Sequence, residues 1–178
     1  MLSSVSHAGG RGKKDAERVA HPFAPFFDEK SKILILGSFP SVASRANGFY
    51  YGNRRNRFWK VLAVIHGEEE PDSIKEKKAF LARHGIALWD VIASCGIRGS
   101  SDASVFDARP NDIPSILEKA PIERIALNGK KAEELFDRYY SRTIVKKVFS
   151  LPSTSPANAA WNLFRLIEVW SPVFTEDN

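Results

Sequence analysis

Apolar residues run unbroken through "KILILGS", residues 32–38, and stop at Gly-Ser. A strand with one wet face alternates apolar and polar positions, so an unbroken run predicts a strand buried on both faces. "ERIALNG" (123–129) and "TIVKKVFSLPSTSP" (143–156) predict two more strands, each running into a polar loop. "IALWDVI" (86–92) reads equally as a strand or a buried helical turn, because periodicity does not separate the two. Between these runs the period changes. Phe58, Leu62 and Ile65, with Val61 alongside, recur at helical spacing up to Gly67. "SIKEKKAFLARHG" predicts a short helix stopped by Gly85, and "NDIPSILEKA" another with Asn111 as its cap. Ala132, Leu135, Phe136 and Tyr139 trace one helical face, and Leu163, Leu166, Ile167 and Trp170 trace a closing helix. "FPSVASRANGFYYGNRRN", "GEEEPD" and "SCGIRGSSDASVFDARP" are expected to be loops.

Strands alternating with helices imply an α/β fold, a parallel sheet sandwiched between helix layers. Ligands of such sheets bind outside the carboxyl ends of the strands. That rule gathers three loops into one place: "GSFPS", "NGKKA" and "LPSTSPAN". The first of them continues into "GFYYGNRRNRFW", residues 48–59, which mixes aromatic, arginine and asparagine side chains between glycines.

Composition narrows the picture. The chain of 178 residues fits one domain, and 43% hydrophobic residues with twelve Phe and four Trp supply a core. Residues 1–20, "MLSSVSHAGGRGKKDAERVA", are expected to be a flexible basic tail, with the single domain over 21–178. They lack the apolar centre of a signal peptide, and no run approaches the ~20 apolar residues of a membrane helix. The single cysteine, Cys95, forms no intrachain disulfide and by itself no metal site, so a reducing, cytoplasmic setting and no bound metal are expected.

Net charge is +5, and its placement is uneven. From Lys30 to Gly67 there is no acid, while Lys30, Lys32, Arg45, Arg54, Arg55, Arg57 and Lys60 are basic. Such a local excess suits a face that meets phosphates.

No G-x-G-x-x-G or Walker loop is present, "GSFPS" is not a G-x-S-x-G elbow, and no carboxylate pair for sugar hydrolysis stands out. What remains is amide, hydroxyl and backbone N–H chemistry. Asn47, Asn53, Asn56, Asn128, Asn158, Ser38, Ser153 and Ser155 lie in or beside the three loops. An amide can hold a water or read a base edge. Tyr50, Tyr51 and Phe49 are candidate platforms for a flat heterocycle; for Tyr50 and Tyr51 core filling reads equally well, whereas Phe58 and Trp59 read as core.

"ILGSFPS", "GFYYGNRRNRFW", "ALWDVIASCGIRGSSD", "NGKKAEELF" and "LPSTSPANA", in that order, resemble the uracil-DNA glycosylase superfamily and, within it, the hypoxanthine-DNA (deoxyinosine) glycosylase branch. The likeness runs from about His21 to Trp170. It implies a three-layer α/β/α fold with a central four-stranded parallel sheet. It also implies a monofunctional enzyme without cofactor that flips a deaminated base from DNA and hydrolyses its N-glycosidic bond. Uracil or G·T/U mismatch specificity, or a catalytically inert DNA-binding relative, are the alternatives. Damaged DNA is the implied partner, followed by enzymes that process abasic sites, and a monomer is expected.

Carried over residue by residue, the likeness has gaps. Phe39 stands where mismatch-specific relatives keep a water-holding Asn, and Leu151 where other members keep a His. Weight shifts to Asn56 in "RNRFW" as the catalytic amide, with Asn53 second. Backbone N–H groups around Ser38, Phe39 and Ser153 are expected to stabilise the departing base, and Tyr51 to stack on it. Asp90 is expected to accept from its edge. Ser153, Ser155, Asn158, Arg54, Arg55 and Arg57 are expected to hold the DNA backbone.

Overall fold

The computed structural model describes residues 17–97 and 105–175. Strands β2 (Ile33–Gly37), β3 (Ile86–Asp90), β6 (Arg124–Asn128) and β7 (Lys147–Leu151) form a parallel sheet in the order β3-β2-β6-β7. The two centre strands have covered faces, and alternate residues serve opposite layers. Ile33, Ile35, Ile86, Leu88 and Ala126 join one cluster with Phe58, Trp59, Phe80, Leu166 and Trp170. These come from helices α2 (Phe58–His66), α3 (Ile74–Arg83) and α6 (Leu163–Trp170). Leu34, Leu36, Ala87, Ile125 and Leu127 join a second cluster with residues of α4 (Ile113–Lys119) and α5 (Lys130–Tyr140). The result is the three-layer α/β/α sandwich that the sequence implies.

"IALWDVI" resolves as strand β3, paired in register along β2 from Ile33–Ile86 to Gly37–Asp90. Helix α3 opens on a full capping box between Ser73 and Glu76, and Gly85, at φ +62°, turns the chain into β3. The outer edge of β3 is covered by the N-terminal segment, where Phe26 and Leu88 exchange backbone hydrogen bonds of 3.0 and 2.8 Å. The opposite edge, β7, is exposed and carries Lys147, which discourages pairing with another chain.

Four features depart from the sequence reading. "SCGIRGSSDASVFDARP" is no simple loop: β4 (Ile92–Ile97) and β5 (Val105–Pro110) pair antiparallel. A Cβ on Gly96 would fall 2.3 Å from the Phe106 ring, so a glycine there lets the ring lie across the strand. Second, β1 (Glu17–Ala20) adds to β4, so the fold begins within the segment read as tail. The rest of that segment lies outside the described residues. Third, the loop after β2 contains a short helix, α1 (Val42–Asn47), capped by Ser41. Fourth, Asp112 rather than Asn111 caps α4, because the Asn111 side chain is drawn inward to the Asp90 carbonyl at 2.8 Å.

At the amino end of the sheet, the His66 and His84 rings stack 3.9 Å apart and Glu68 accepts from Arg83 and from His84. Hydrogen bonds from Arg83 and then His84 hold the Glu68 carboxyl down from 4.5 to about 2. Burial, and then neighbouring His84, hold His66 down from 6.5 to about 4. Both shifts mean that the unfolded chain binds protons more readily than the folded one. Stability is therefore expected to fall as pH drops from 6.5 toward 4 through His66, and again from 4.5 toward 2 through Glu68. Urea midpoints across this range check it, and His66→Phe should flatten the upper limb.

Candidate active site

The sheet order places β2 beside strands reached by connections on opposite faces, which opens a crevice at its carboxyl end. A cleft of about 440 Å³ lies there, lined by the loops after β2, β6 and β7 and by the end of β3. Ser38, Phe39, Tyr51, Asn56, Asp90, Ser153, Ser155 and Asn158 all face it. The three loops singled out in the sequence thus do meet.

Asp90, at the last position of β3, is 4% exposed. Its Oδ2 lies 2.7 Å from His21 Nε2. The Phe23 N–H donates to His21 Nδ1 at 3.1 Å, which leaves Nε2 to carry the hydrogen and donate it to Asp90. The ring is wedged edge-on between Phe23 and Phe39. The other oxygen, Oδ1, sits where a side chain on Gly37 would project, 2.2 Å from the position of a Cβ. Glycine at the end of β2 is therefore a steric requirement of the Asp90 carboxyl.

Tyr51 adopts φ +53°, a conformation that a bulky residue rarely takes. Its ring lies flat on Phe58 at 3.7 Å, so the core holds one aromatic face and the residue borders the cleft. Burial, and then the nearby Asp90, push its phenol well above the ordinary range, so the hydroxyl keeps its proton. Tyr50 goes the other way, into the core, and its hydroxyl donates to the Ala24 carbonyl at 3.0 Å.

Asn56 precedes α2, and its Oδ1 accepts from the Phe58 N–H at 3.0 Å. That commitment fixes the amide orientation and leaves its NH₂ for the cleft. The N–H groups of Ser38, Phe39 and Ser153 find no protein acceptor among the described residues. Four donor positions are thus available around one cavity.

The loop after β7 is fixed from three sides. Asn128 pairs both halves of its amide with Thr154: Nδ2 donates to Oγ1 and Oδ1 accepts from the Thr154 N–H, each at 3.0 Å. Gly129, at φ +96°, allows Ser153 to come within 2.8 Å of the place where a Cβ would stand. The Arg57 guanidinium donates to the carbonyls of Thr154, Ser155, Asn158 and Trp161. Asn158 closes the loop on itself by donating to the Ser153 carbonyl.

Two expected roles change accordingly. Arg57 is a structural pin, since its guanidinium is already spent on four backbone carbonyls and has no fork free for a phosphate. Asn53 does not reach the cleft; its Oδ1 accepts from the Arg55 N–H, and it lines a separate polar groove with Arg54. Arg54 and Arg55 are exposed, with no side-chain partner among the described residues. Lys130 and Lys131, in the first turn of α5, add positive charge at the rim; the sequence placed their "NGKKA" loop at the cleft without assigning them a role. His21 also escaped notice as a site residue. It lies 69 positions from Asp90, and only the N-terminal segment running along β3 brings the two together.

This is the build of an α/β enzyme that works at the carboxyl ends of a parallel sheet, with polar donors inside the cleft and cations outside it. Residues 24–172 match the uracil DNA glycosylase superfamily. A Methanosarcina acetivorans protein named hypoxanthine DNA glycosylase is 38% identical over 85% of this chain and 96% of its own length. A protein of the same name from Methanosarcina barkeri is 35% identical over 63% of this chain and 72% of its own. A solution NMR structure from Methanosarcina acetivorans, described as a candidate uracil DNA glycosylase, superposes with a TM-score of 0.75 at 33% identity. It covers 90% of this chain and 96% of that one. The chain belongs to the uracil DNA glycosylase superfamily. It is a DNA glycosylase, an enzyme that hydrolyses N-glycosidic bonds.

If Arg57 pins the loop, Arg57→Lys should lower stability by about 1–3 kcal/mol, because one ammonium cannot satisfy four carbonyls. Thermal melting measures this. The salt dependence of DNA binding should stay unchanged in Arg57→Lys, whereas Arg54→Ala or Arg55→Ala should make its slope shallower by about one.

Proposed function

We propose that this enzyme removes hypoxanthine from deoxyinosine in DNA and leaves an abasic site. The observation that carries the reading is the donor set of the cleft: three free backbone N–H groups and an amide whose orientation is fixed by α2 surround a cavity that also holds Asp90 and Tyr51. The likeness to relatives named hypoxanthine DNA glycosylase adds to it.

A base inside the duplex is out of reach of such a cleft, so the nucleotide is extruded into it. Tyr51, braced by Phe58, borders the flipped purine, and Asp90 Oδ1 accepts its N1–H. The C1′–N9 bond breaks with its electron pair moving onto the purine, leaving an oxocarbenium-like sugar. Backbone N–H groups of Ser38, Phe39 and Ser153 receive the charge that develops on the base. A single preorganised donor of this kind is worth ~3 kcal/mol. Asn56 donates through its NH₂, to the oxygen of the attacking water or to a purine acceptor. Water then bonds to C1′, and the proton it releases neutralises the departing base.

Ser153, Ser155 and Asn158 shape the loop that meets the phosphates beside the flipped nucleotide. Lys130, Lys131, Arg54 and Arg55 supply charge on the rim. The abasic product is chemically fragile, so a monomeric enzyme handing it to abasic-site processing enzymes fits the reaction.

Duplexes carrying a single deoxyinosine, deoxyuridine, deoxyxanthosine or G·T pair, followed by alkaline strand cleavage, test the reading. Cleavage at deoxyinosine is expected. Cleavage at deoxyuridine or G·T alone would reassign the base, and binding without cleavage anywhere would leave an inert DNA-binding protein. Asn56→Ala should slow base release by about 10²–10³-fold with DNA affinity nearly intact. Wild-type turnover in that variant would remove Asn56 from the mechanism.

A further inference from the structure

The floor of the cleft holds a polar atom that this mechanism leaves idle. Tyr51 Oη is buried and makes no hydrogen bond of normal length among the described residues; the Asn128 amide lies near it but is committed on both sides to Thr154. An orphaned buried hydroxyl is destabilising, and the residue bearing it also sits in a left-handed backbone conformation. Both costs fall on one residue at the cleft. Its location explains what they are kept for. A point where Gly37 lacks a Cβ lies 3.4 Å from Tyr51 Oη and 2.2 Å from Asp90 Oδ1. Both residues line the cleft, and the missing side chain of Gly37 lets the two oxygens lie at the same end of β2.

We propose that Asp90 and Tyr51 read the base edge together as an acceptor and a donor, and that His21 is the positioning residue that fixes this polarity. The proposal rests on the glycosylase reading above and names what recognises the base. A carboxylate oxygen only accepts, and His21 Nε2–H already occupies Oδ2, so Oδ1 is the atom presented. The Tyr51 hydroxyl, which keeps its proton, donates. Hypoxanthine offers the complement: its N1–H meets Asp90 and its O6 meets Tyr51. Adenine in the same pose sets a bare N1 against a carboxylate, and its amino group is met only if the Tyr51 hydroxyl turns round to accept. The pair therefore distinguishes a lactam edge from the amidine edge that it replaces on deamination. The bond to O6 also strengthens as negative charge spreads onto the departing purine, so the same hydroxyl serves recognition and catalysis.

His21 reaches Asp90 from outside the α/β sandwich. The backbone leaves β1, bonds His21 N–H to the Ala93 carbonyl at 2.7 Å and runs on to Phe26 beside β3. Specificity is thereby tied to the N-terminal segment as well as to the loop after β2 that carries Tyr51.

The test uses duplexes in which a 2′-fluoroarabino sugar blocks cleavage beneath hypoxanthine or adenine, so that affinity is read without chemistry. The wild-type protein is expected to prefer the hypoxanthine duplex by about tenfold or more. Tyr51→Phe, which keeps the ring on Phe58 and deletes only the hydroxyl, should bring the ratio toward one. His21→Ala should do the same, and His21→Gln, which restores an N–H toward Asp90, should recover most of it. Melting temperatures within a few degrees of wild type show that the loss is not unfolding. A wild-type ratio of one, or a Tyr51→Phe variant that discriminates as well as wild type, overturns the proposal. Active excision of deoxyinosine with an unchanged ratio would sink the reader alone, whereas no excision by the wild-type enzyme would sink the proposed function and the reader with it.

Discussion

Strand β2 carries five residues and exposes none of them, so each of its faces must be covered by helices. The rest of the architecture follows from that constraint. Connections from β2 to β3 and from β3 to β6 run over opposite faces, since both faces need cover and the two crossovers move in opposite directions across the sheet. Two chain directions diverging at one strand end leave a gap that backbone alone does not fill. The cleft occupies this gap, and Gly37, the last residue of β2, forms its floor.

A gap bounded by loops holds its shape only if the loops are held. Here this is done with buried polar contacts rather than apolar packing. Arg57 satisfies four carbonyls of the loop after β7, and Asn128 fastens the same loop to the end of β6. These are groups that would otherwise be buried without partners, so breaking one leaves several unsatisfied. The arrangement is stiff around the backbone donors and open only where a base would enter. Tyr51 Oη, one of the buried polar atoms without a hydrogen-bond partner among the described residues, belongs to a residue that borders that opening.

The elements legible from sequence were those with a strong period. "KILILGS" and "ERIALNG" announced buried strands, and the helical faces of α2, α5 and α6 were visible because each buries a stripe. The hairpin of β4 and β5 was not legible. Its strands are rich in small and polar residues, and only Ile92, Cys95 and Ala108 turn to the core, too few to show as an alternating apolar face in the sequence. The site divides in the same way. Asn56, Tyr51 and the serines sit in loops that the parallel-sheet rule brings together, and Asp90 ends the strand beside them, so motif order was enough to place them on one cleft. Arg57 was misread because a positive charge in a sequence carries no information on whether its acceptors are phosphates or the chain's own carbonyls. Asn111 was misread as a cap because a helix start offers two adjacent candidates, and only the packing shows which one turns inward.

What the sequence determined by itself was the order of buried and amphipathic segments, and with it the layered sheet, the family and the end of the molecule where chemistry occurs. These follow from local patterns, since burial of a strand or a helix stripe depends on residues a few positions apart. Tertiary structure decided which polar groups are free to act. Asn56 keeps its NH₂ because α2 claims its carbonyl, Arg57 loses its freedom to the loop after β7, and Asp90 gains His21 from 69 residues away. Hydrogen-bond partners at that separation are set by the path of the chain through space, and nothing local to either residue records them.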